Sequence, residues 1–447
     1  MEQKSGLKRS LGLRHVTLYG LAFMAPTTVF STYGVAVEKT QGMMPTAYII
    51  AMIIMLFTAY SYGQMVKEFP SAGSAYTFTQ KAIHPNLGFL IGWTILIDYV
   101  LSPMISALLV GIVGHAYFPA VPLSIWVISF ILVIAVVNVL GIKIAANFNT
   151  YFLILQLASF LLFFFISIKG LLEGKGAGTV FSILPFYDPD VKLSSIISTV
   201  PILCFTFLGF DAITTLSEET KHARRTLPKA IYIIVFSGGV LYVITTYFLQ
   251  TVFPGLHFKD PQSAHMEIFA YIGGSFLTSC FTAVSFTAGF ASATASCGSG
   301  ARILYVMGRE GVLPKKIFGY LSPKFHTPVF NILIIGCIAL SALFLNIVTA
   351  LSFINYGGLF AFTFVNLAVI VHYYIKKRQR SPKGTIMYLV IPLIGAFFTA
   401  VLWLQLDNHS MILGSTWLAA GVIYLLYLTK LFRQPPPELR FEETEQA

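Results

Sequence analysis

The sequence predicts an all-α membrane protein with twelve transmembrane helices. Of its 447 residues, 56% are hydrophobic and 11% are charged, whereas ordinary soluble domains carry about 25% charged residues. Apolar stretches of about 20 residues recur along the chain, and a helix needs that length to cross the hydrocarbon core. This composition excludes a soluble fold. The four cysteines all lie inside apolar stretches, which excludes a secreted disulfide scaffold.

Short polar loops separate the predicted spans. The spans cover residues 17–37, 45–66, 87–113, 122–141, 146–170, 194–217, 230–252, 273–300, 328–347, 350–375, 386–406 and 411–432. The first span follows four basic residues, but it is too long for a signal peptide and lacks a small-residue cleavage site. We therefore expect it to remain in the mature protein.

The basic residues lie mainly on one side of these spans. If the N-terminus is cytoplasmic, 24 of the 29 lysines and arginines are cytoplasmic and 5 are external. An excess of this kind marks the cytoplasmic side, so both termini are predicted to be cytoplasmic and the protein to be a multi-pass component of the cell membrane. The basic clusters around 302–324 and 376–380 are interpreted as anchors against anionic lipid of the bilayer, and no nucleic-acid partner is expected.

Two spans contain segments that should not be helical. Pro26 lies in the middle of the first span, where it removes a backbone donor and clashes with the preceding turn. In the sixth span Gly209 stands close to a carboxylate, Asp211. The first and sixth spans hold the same position in two successive groups of five helices, which predicts a five-plus-five inverted repeat. Broken helices at corresponding positions are typical of a transporter binding site at the bilayer midplane.

Asp98 and Asp211 are the only ionisable residues predicted more than about two helical turns from a span end. Buried carboxylates without an internal cation favour an external one, although each could instead be a protonated acid bonded to a neighbouring helix. Aromatic rings near them can face an ammonium or a methylene chain. The candidate rings include those of Tyr99, Phe205, Phe207, Phe210 and Tyr356.

The sequence lacks the patterns that support an enzyme or a metalloprotein. It has no glycine-rich phosphate loop, no paired nucleophile and base, and no metal-ligand spacing, and its histidines lie in loops or near span ends. We therefore expect no catalytic residues, no cofactor and no metal.

Three separated motifs carry a family resemblance. They are FPSAGSAY at 69–76, GFD at 209–211 leading to SEET at 217–220 with Arg224, Arg225 and PKA at 228–230, and ARILY at 301–305 leading to GREGVLP at 308–314. The chain resembles permeases of the amino acid, polyamine and organocation (APC) superfamily over essentially its whole length. The stretches 28–30, 96–99, 207–211 and 304–309 are most similar to its bacterial putrescine importer branch.

The resemblance implies a domain organisation and a site. It implies a cytoplasmic segment 1–16, a transport core 17–375, peripheral helices 386–432 and a disordered cytoplasmic tail 433–447. It places the substrate between spans one, three, six, eight and ten, with Phe205 or Phe210 as an aromatic lid. Asp211 matches the position where polyamine carriers of the superfamily keep an acid.

The first break departs from the pattern of the amino-acid carriers. They place a glycine-rich cradle for the substrate carboxylate there, whereas this chain has FMAPT at 23–27 followed by Thr28, so Met24, Thr27 and Thr28 become candidate substrate contacts. Gln156 stands where some members carry a lysine in span five, which argues against lysine-based coupling. No signal in the sequence indicates an oligomeric state.

A poor carboxylate cradle and two buried acids favour a substrate with positive charge at both ends. The sequence therefore predicts a secondary active importer of putrescine or a related diamine that works by alternating access, with a proton as coupling ion and Asp98 or Asp211 as its carrier. The alternatives are a proton-coupled amino-acid permease of the same fold and a ligand-sensing membrane receptor.

Overall fold

The computed structural model describes residues 11–70, 74–140, 142–217, 220–309, 311–323, 325 and 327–436. Residues 1–10 of the predicted cytoplasmic segment lie outside this range, as do residues 437–447 of the predicted disordered tail. Three motif segments, at 71–73, 218–219 and 310, also lie outside it.

The described chain is helical, and the one extended pairing found in it is an isolated parallel bridge between Leu11 and Thr220. The helices are α1 Leu13–Met24, α2 Thr28–Val37, α3 Met44–Glu68, α4 Ser74–Ala82, α5 Pro85–Tyr117, α6 Leu123–Leu140, α7 Ile142–Leu172, α8 Leu193–Cys204, α9 Ala223–Val252, α10 Ala264–Arg309, α11 Lys315–Phe318, α12 Val329–Ala339, α13 Ile347–Val369, α14 Pro382–Thr385, α15 Ile391–Leu404 and α16 Asn408–Leu428. A wider π turn, Ile370–Lys376, extends α13, and 3₁₀ turns follow α8 and α12.

The all-helical membrane class is confirmed. Ten helices in the described ranges are long and apolar enough to span a bilayer, and α1 with α2 raises the number to eleven if this bent pair is one span. The predicted ninth span is shorter, an apolar segment at Val329–Phe344. A count of twelve therefore requires both the bent pair and this short segment to cross the membrane.

Helix α5 lies at the centre of the bundle and contacts α4, α6, α10, α12, α13 and α16. Large apolar side chains on α6 and α7 remain exposed, among them Leu132, Val136, Leu161 and Phe165. Exposed apolar surface of this kind suits contact with lipid, where the hydrophobic effect does not drive helices together.

The side of the bundle on which α1 begins, here called the N-terminal face, is tied together by polar contacts. The Lys221 amide donates to the Leu11 carbonyl oxygen at 2.8 Å, which joins the start of α1 to the end of the sixth span. The Lys377 ammonium donates to Glu68 Oε1 at 2.6 Å, and His372 Nε2 lies 3.5 Å from the same oxygen. These contacts join α3 to the end of the α13 span.

Helix α16 is attached to α5 by a reciprocal tryptophan pair. The Trp93 indole donates to the Trp417 carbonyl oxygen at 3.0 Å, and the Trp417 indole donates to the Trp93 carbonyl oxygen at 2.9 Å. The two rings stack with centroids 4.7 Å apart. Gly421 permits the approach, because a Cβ there would lie 2.4 Å from the Trp93 ring.

Candidate functional site

The first span is broken where the proline predicts it. Helix α1 ends at Met24, Ala25 adopts a left-handed conformation (φ 45°, ψ 76°), and α2 resumes at Thr28. The two segments are bent by 41°. Pro26 has no N–H to donate to the preceding turn, so the chain leaves the helix and must satisfy its free polar groups elsewhere.

The sixth span unwinds at the same depth. After α8 the chain forms a 3₁₀ turn at Phe205–Phe207, passes through Gly209 at φ 103° and continues as a 3₁₀ turn at Asp211–Leu216. Only glycine adopts such a φ without strain. A Cβ on Gly209 would lie 2.2 Å from Phe23 Cδ1, so the second break packs directly against the first span.

Side chains from other helices satisfy carbonyl groups around the second break. The Tyr242 hydroxyl donates to the Thr206 carbonyl oxygen at 2.7 Å. The Asn355 amide donates to the Pro201 carbonyl oxygen at 2.9 Å. A non-helical segment inside a membrane bundle requires such partners, because lipid supplies none.

Asp211 and Asp98 are close enough to interact electrostatically. Asp211 is buried, with 6% of its surface exposed, and Asp98 is half-buried on α5. Tyr62 and Tyr99 lie near both carboxylates. Across the described ranges no lysine, arginine or histidine forms an ion pair with either acid.

A separate cavity of about 40 Å³ lies between α2, α5, α10 and the start of the second break, with room for about three water molecules. The described residues lining it carry no charge. Six of them have hydroxyl groups: Thr27, Thr28, Ser31, Ser106, Ser285 and Ser292. Ser106 follows Asp98 by eight residues on α5, a separation of about 12 Å along a helix axis. The carboxylates and the cavity are therefore neighbouring but distinct.

The three candidate phenylalanines of the sixth span point in different directions. Phe205 lines the cavity. Phe207 packs edge-to-face on Tyr242 at 5.3 Å between ring centroids. Phe210 packs edge-to-face on Tyr62 at 5.5 Å. A 3₁₀ turn places side chains about 120° apart, and the Gly209 bend redirects the chain again, so the three rings do not form one surface.

Thr27 and Thr28 line the cavity, whereas Met24 and Tyr356 are not among the described residues that line it. Met24 packs on α9, where a Cβ at Gly238 would lie 2.9 Å from its methyl group. The Tyr356 ring lies 5.2 Å from the Trp403 ring, and its hydroxyl is 3.4 Å from Ser415 Oγ. The structure thus directs Tyr356 toward α15 and α16.

Gln156 contacts the first break, because the Thr27 hydroxyl donates to its Oε1 at 3.4 Å.

Several site residues carried no sequence signal. Tyr62 is one of 22 tyrosines and Phe23 one of 40 phenylalanines, and nothing in the local pattern distinguishes them. The serines on α5 and α10 are equally inconspicuous, since only the packing of those helices brings them to one cavity.

Aromatic clusters fill the space between the helices on either side of the breaks. Toward the face opposite the N-terminal face, the Phe30 ring lies 5.0 Å from Phe281, and Phe269 lies 4.1 Å from Phe281. Toward the N-terminal face, Tyr62 packs on Phe78 at 5.9 Å and on Phe362 at 5.8 Å.

Within the described part of the chain no group of three metal-ligating side chains is assembled.

An apolar helical bundle with two unwound segments in contact, and polar groups buried beside them, has the architecture of a membrane carrier. A comparison of the sequence with models of known protein families identifies one family. The family model for amino acid permeases matches residues 15–429, and the chain belongs to this family.

Individual relatives are similar over almost the whole length. The chain is 43% identical to the low-affinity putrescine importer PlaP of Escherichia coli (strain K12) over 434 residues, 97% of this chain and 96% of the relative. It is 26% identical to the methylthioribose transporter of Bacillus subtilis (strain 168), over 96% of this chain and 95% of the relative. It is also 26% identical to the branched-chain amino acid permease BcaP of the same organism, over 96% and 94%. These relatives are transporters, so the chain is a multi-pass membrane transporter and not an enzyme.

Proposed function

We propose that this protein imports putrescine or a closely related diamine across the bacterial cytoplasmic membrane by alternating access. In this proposal the chain crosses the membrane twelve times, its first ten spans form a five-plus-five inverted repeat, and both termini are cytoplasmic. The 43% identity to a putrescine importer over nearly the whole chain supports the substrate class. The excess of basic residues in the predicted cytoplasmic loops supports the orientation.

The observation that carries the proposal is the pair of interacting carboxylates formed by Asp211 of the second break and Asp98 of α5. Asp98 and Asp211 interact with each other, and no basic side chain in the described ranges compensates them. Two carboxylates repel when both are ionised, and burial makes each charge costly. A diamine offers one ammonium group to each acid, whereas the carboxylate of an amino acid would add a third negative charge.

The transport path begins, in this proposal, at the hydroxyl-lined cavity and leads to the acid pair. The cavity has about 40 Å³ and neutral oxygen atoms. Such a cavity can accept the N–H groups of an ammonium but is too small for a whole diamine without rearrangement. Phe205 would move with the second break as the cavity widens. The aromatic cluster on one side of the breaks then separates while the cluster on the other side stays packed.

The membrane potential supplies part of the driving force. An inward-negative potential favours entry of a dication by about 2.3 kcal/mol per charge for each 100 mV. We propose that a proton carried by Asp98 or Asp211 adds to this force when the empty carrier returns, because a carboxylate that has released its ammonium can be neutralised by a proton instead.

Uptake of radiolabelled putrescine into proteoliposomes tests the proposal. Saturable uptake is expected for the native protein, and Asp211→Asn is expected to abolish it without loss of expression, because the amide cannot neutralise an ammonium. Asp190→Asn, the same substitution at an exposed loop residue, is the matched control and should transport normally. Retained saturable uptake by Asp211→Asn would remove Asp211 from the mechanism.

A proton-coupled amino-acid permease is the second candidate, favoured by the family match over residues 15–429. Competition distinguishes the two functions. Diamines should inhibit putrescine uptake whereas neutral and acidic amino acids should not, and the reverse pattern would identify an amino-acid permease. A receptor that binds amines without transporting them would show saturable binding but no accumulation in the same vesicles.

A further inference from the structure

Tyr62 is a fully buried tyrosine of α3 whose hydroxyl has no hydrogen-bond partner. The Ser74 hydroxyl lies nearby and is likewise buried without a hydrogen-bond partner. A buried hydroxyl without a partner lowers the stability of the folded protein, because it has lost its bonds to water and gained none in return.

Three aromatic rings hold the Tyr62 ring in place. They belong to α4, the second break and α13, and each meets the Tyr62 ring edge-to-face: Phe78 at 5.9 Å, Phe210 at 5.5 Å and Phe362 at 5.8 Å between centroids. Packing from three sides restricts the ring and therefore the position of its hydroxyl. A phenylalanine would fill this apolar space equally well and would leave no unpartnered oxygen, so packing alone does not explain a tyrosine here.

The surroundings of the hydroxyl suggest what it binds. Phe210, which contacts the ring, directly precedes Asp211, and Tyr62 lies near both Asp211 and Asp98. An ammonium group has three N–H donors, and a phenol oxygen can accept one of them while the carboxylates accept the others. One ammonium group can then supply both the hydrogen bond that the Tyr62 hydroxyl lacks and the positive charge that the acid pair lacks.

We propose that the Tyr62 hydroxyl accepts a hydrogen bond from the substrate's ammonium group at the Asp98–Asp211 pair, and so contributes to selecting amines. This inference rests on the function proposed above. It adds α3 to the elements that contact the substrate. It also places that contact between the acid pair and the N-terminal face, since Tyr62 lies six residues before the α3 terminus at Glu68.

Tyr62→Phe removes one oxygen atom and leaves the ring in place. We expect the purified variant without ligand to unfold at the same temperature as the native protein or higher, because an unpartnered buried hydroxyl has been removed. We expect its dissociation constant for putrescine, measured by thermal stabilisation, to rise by roughly tenfold to a hundredfold, the effect of losing one hydrogen bond to a charged group.

Tyr33→Phe is the matched control. Tyr33 is also fully buried, but its hydroxyl donates to Gln250 Oε1 at 2.7 Å. That variant should unfold at a lower temperature than the native protein and bind putrescine with unchanged affinity. A fall in unfolding temperature in Tyr33→Phe alone, and a fall in affinity in Tyr62→Phe alone, distinguish a hydroxyl that stabilises the fold from one that binds the ligand.

Two results would overturn the inference while leaving the proposed function intact. One is a native protein that binds putrescine together with a Tyr62→Phe variant that binds it within about twofold of native affinity, a difference of about 0.4 kcal/mol. The other is a clear fall in the unfolding temperature of the ligand-free Tyr62→Phe variant with unchanged affinity. A native protein that no amine stabilises would instead contradict the proposed function, and the inference with it.

Discussion

Replacing Gly209 by alanine is expected to destabilise the protein by about 2 to 6 kcal/mol, because two independent costs meet at this residue. The backbone has φ 103°, and holding a residue with a Cβ in such a sparsely populated conformation costs of order 1–3 kcal/mol. The new Cβ would also lie 2.2 Å from Phe23 Cδ1, and overpacking in a well-packed interior costs about 1–3 kcal/mol.

Two other glycines separate the backbone cost from the packing cost. Gly274 has φ 59°, but a Cβ added there would meet no atom within 4 Å, so Gly274→Ala should show the backbone cost of about 1–3 kcal/mol alone. Gly358 lies within α13, and its Cβ would lie 2.6 Å from Leu208 Cδ2, so Gly358→Ala should show the packing cost of about 1–3 kcal/mol without a backbone cost, reduced by the roughly 1 kcal/mol by which alanine favours a helix over glycine.

Thermal unfolding of the three purified variants measures these costs, and putrescine uptake reports their effect on function. Gly209→Ala should be the least stable of the three. Adding Phe23→Leu to Gly209→Ala should restore part of the loss, because the shorter side chain can yield to the new methyl group. If Gly209→Ala is no less stable than Gly274→Ala and the second substitution restores nothing, the two broken spans do not meet at Phe23 as described.

Two further predictions concern the contacts that hold the bundle together. Trp417→Phe keeps an aromatic ring on Trp93 but removes the indole donor to the Trp93 carbonyl oxygen, so it should lower the free energy of unfolding by about 1 kcal/mol; an unchanged denaturation midpoint would show that the Trp417 indole does not form this bond. Lys377→Met removes a partly exposed partner of Glu68 and should cost at most about 1 kcal/mol at low salt, a difference that should shrink as ionic strength rises in thermal melts. A cost that does not change with salt would mean that the Lys377 stem acts by packing and its charge contributes nothing.

The spans and their breaks could be predicted because each follows from local rules. The predicted sixth span, 194–217, corresponds to Leu193–Leu216, and the predicted break at Pro26 separates α1 from α2. The ends of a helix are harder to predict where the helix extends beyond its apolar stretch. The eighth span was expected at 273–300, whereas α10 covers Ala264–Arg309 with an interruption at Gly274. Helix formation needs no apolar residues, so hydropathy marks the membrane-crossing part of a helix and not its length.

The arrangement of the site depended on tertiary geometry that hydropathy does not encode. Asp98 and Asp211 were identifiable because ionisable residues are rare within spans. The directions of Phe205, Phe207 and Phe210 depended on a 3₁₀ turn and on the φ of Gly209, which a period of 3.6 residues does not anticipate. Tyr356 was expected at the site from its span alone; its side chain contacts Trp403 of α15 and Ser415 of α16, and its role in substrate binding stays a prediction.

The most direct test of the acid pair compares a diamine with a monoamine of the same length. The affinities of putrescine and butylamine are measured by thermal stabilisation for the native protein and for Asp98→Asn. Because the variant loses the partner of one ammonium group, putrescine should bind roughly tenfold to a hundredfold more weakly. Butylamine, which needs only Asp211, should change by less than about threefold. An equal loss for both amines, or no loss for either, would contradict the pairing of one ammonium with each carboxylate.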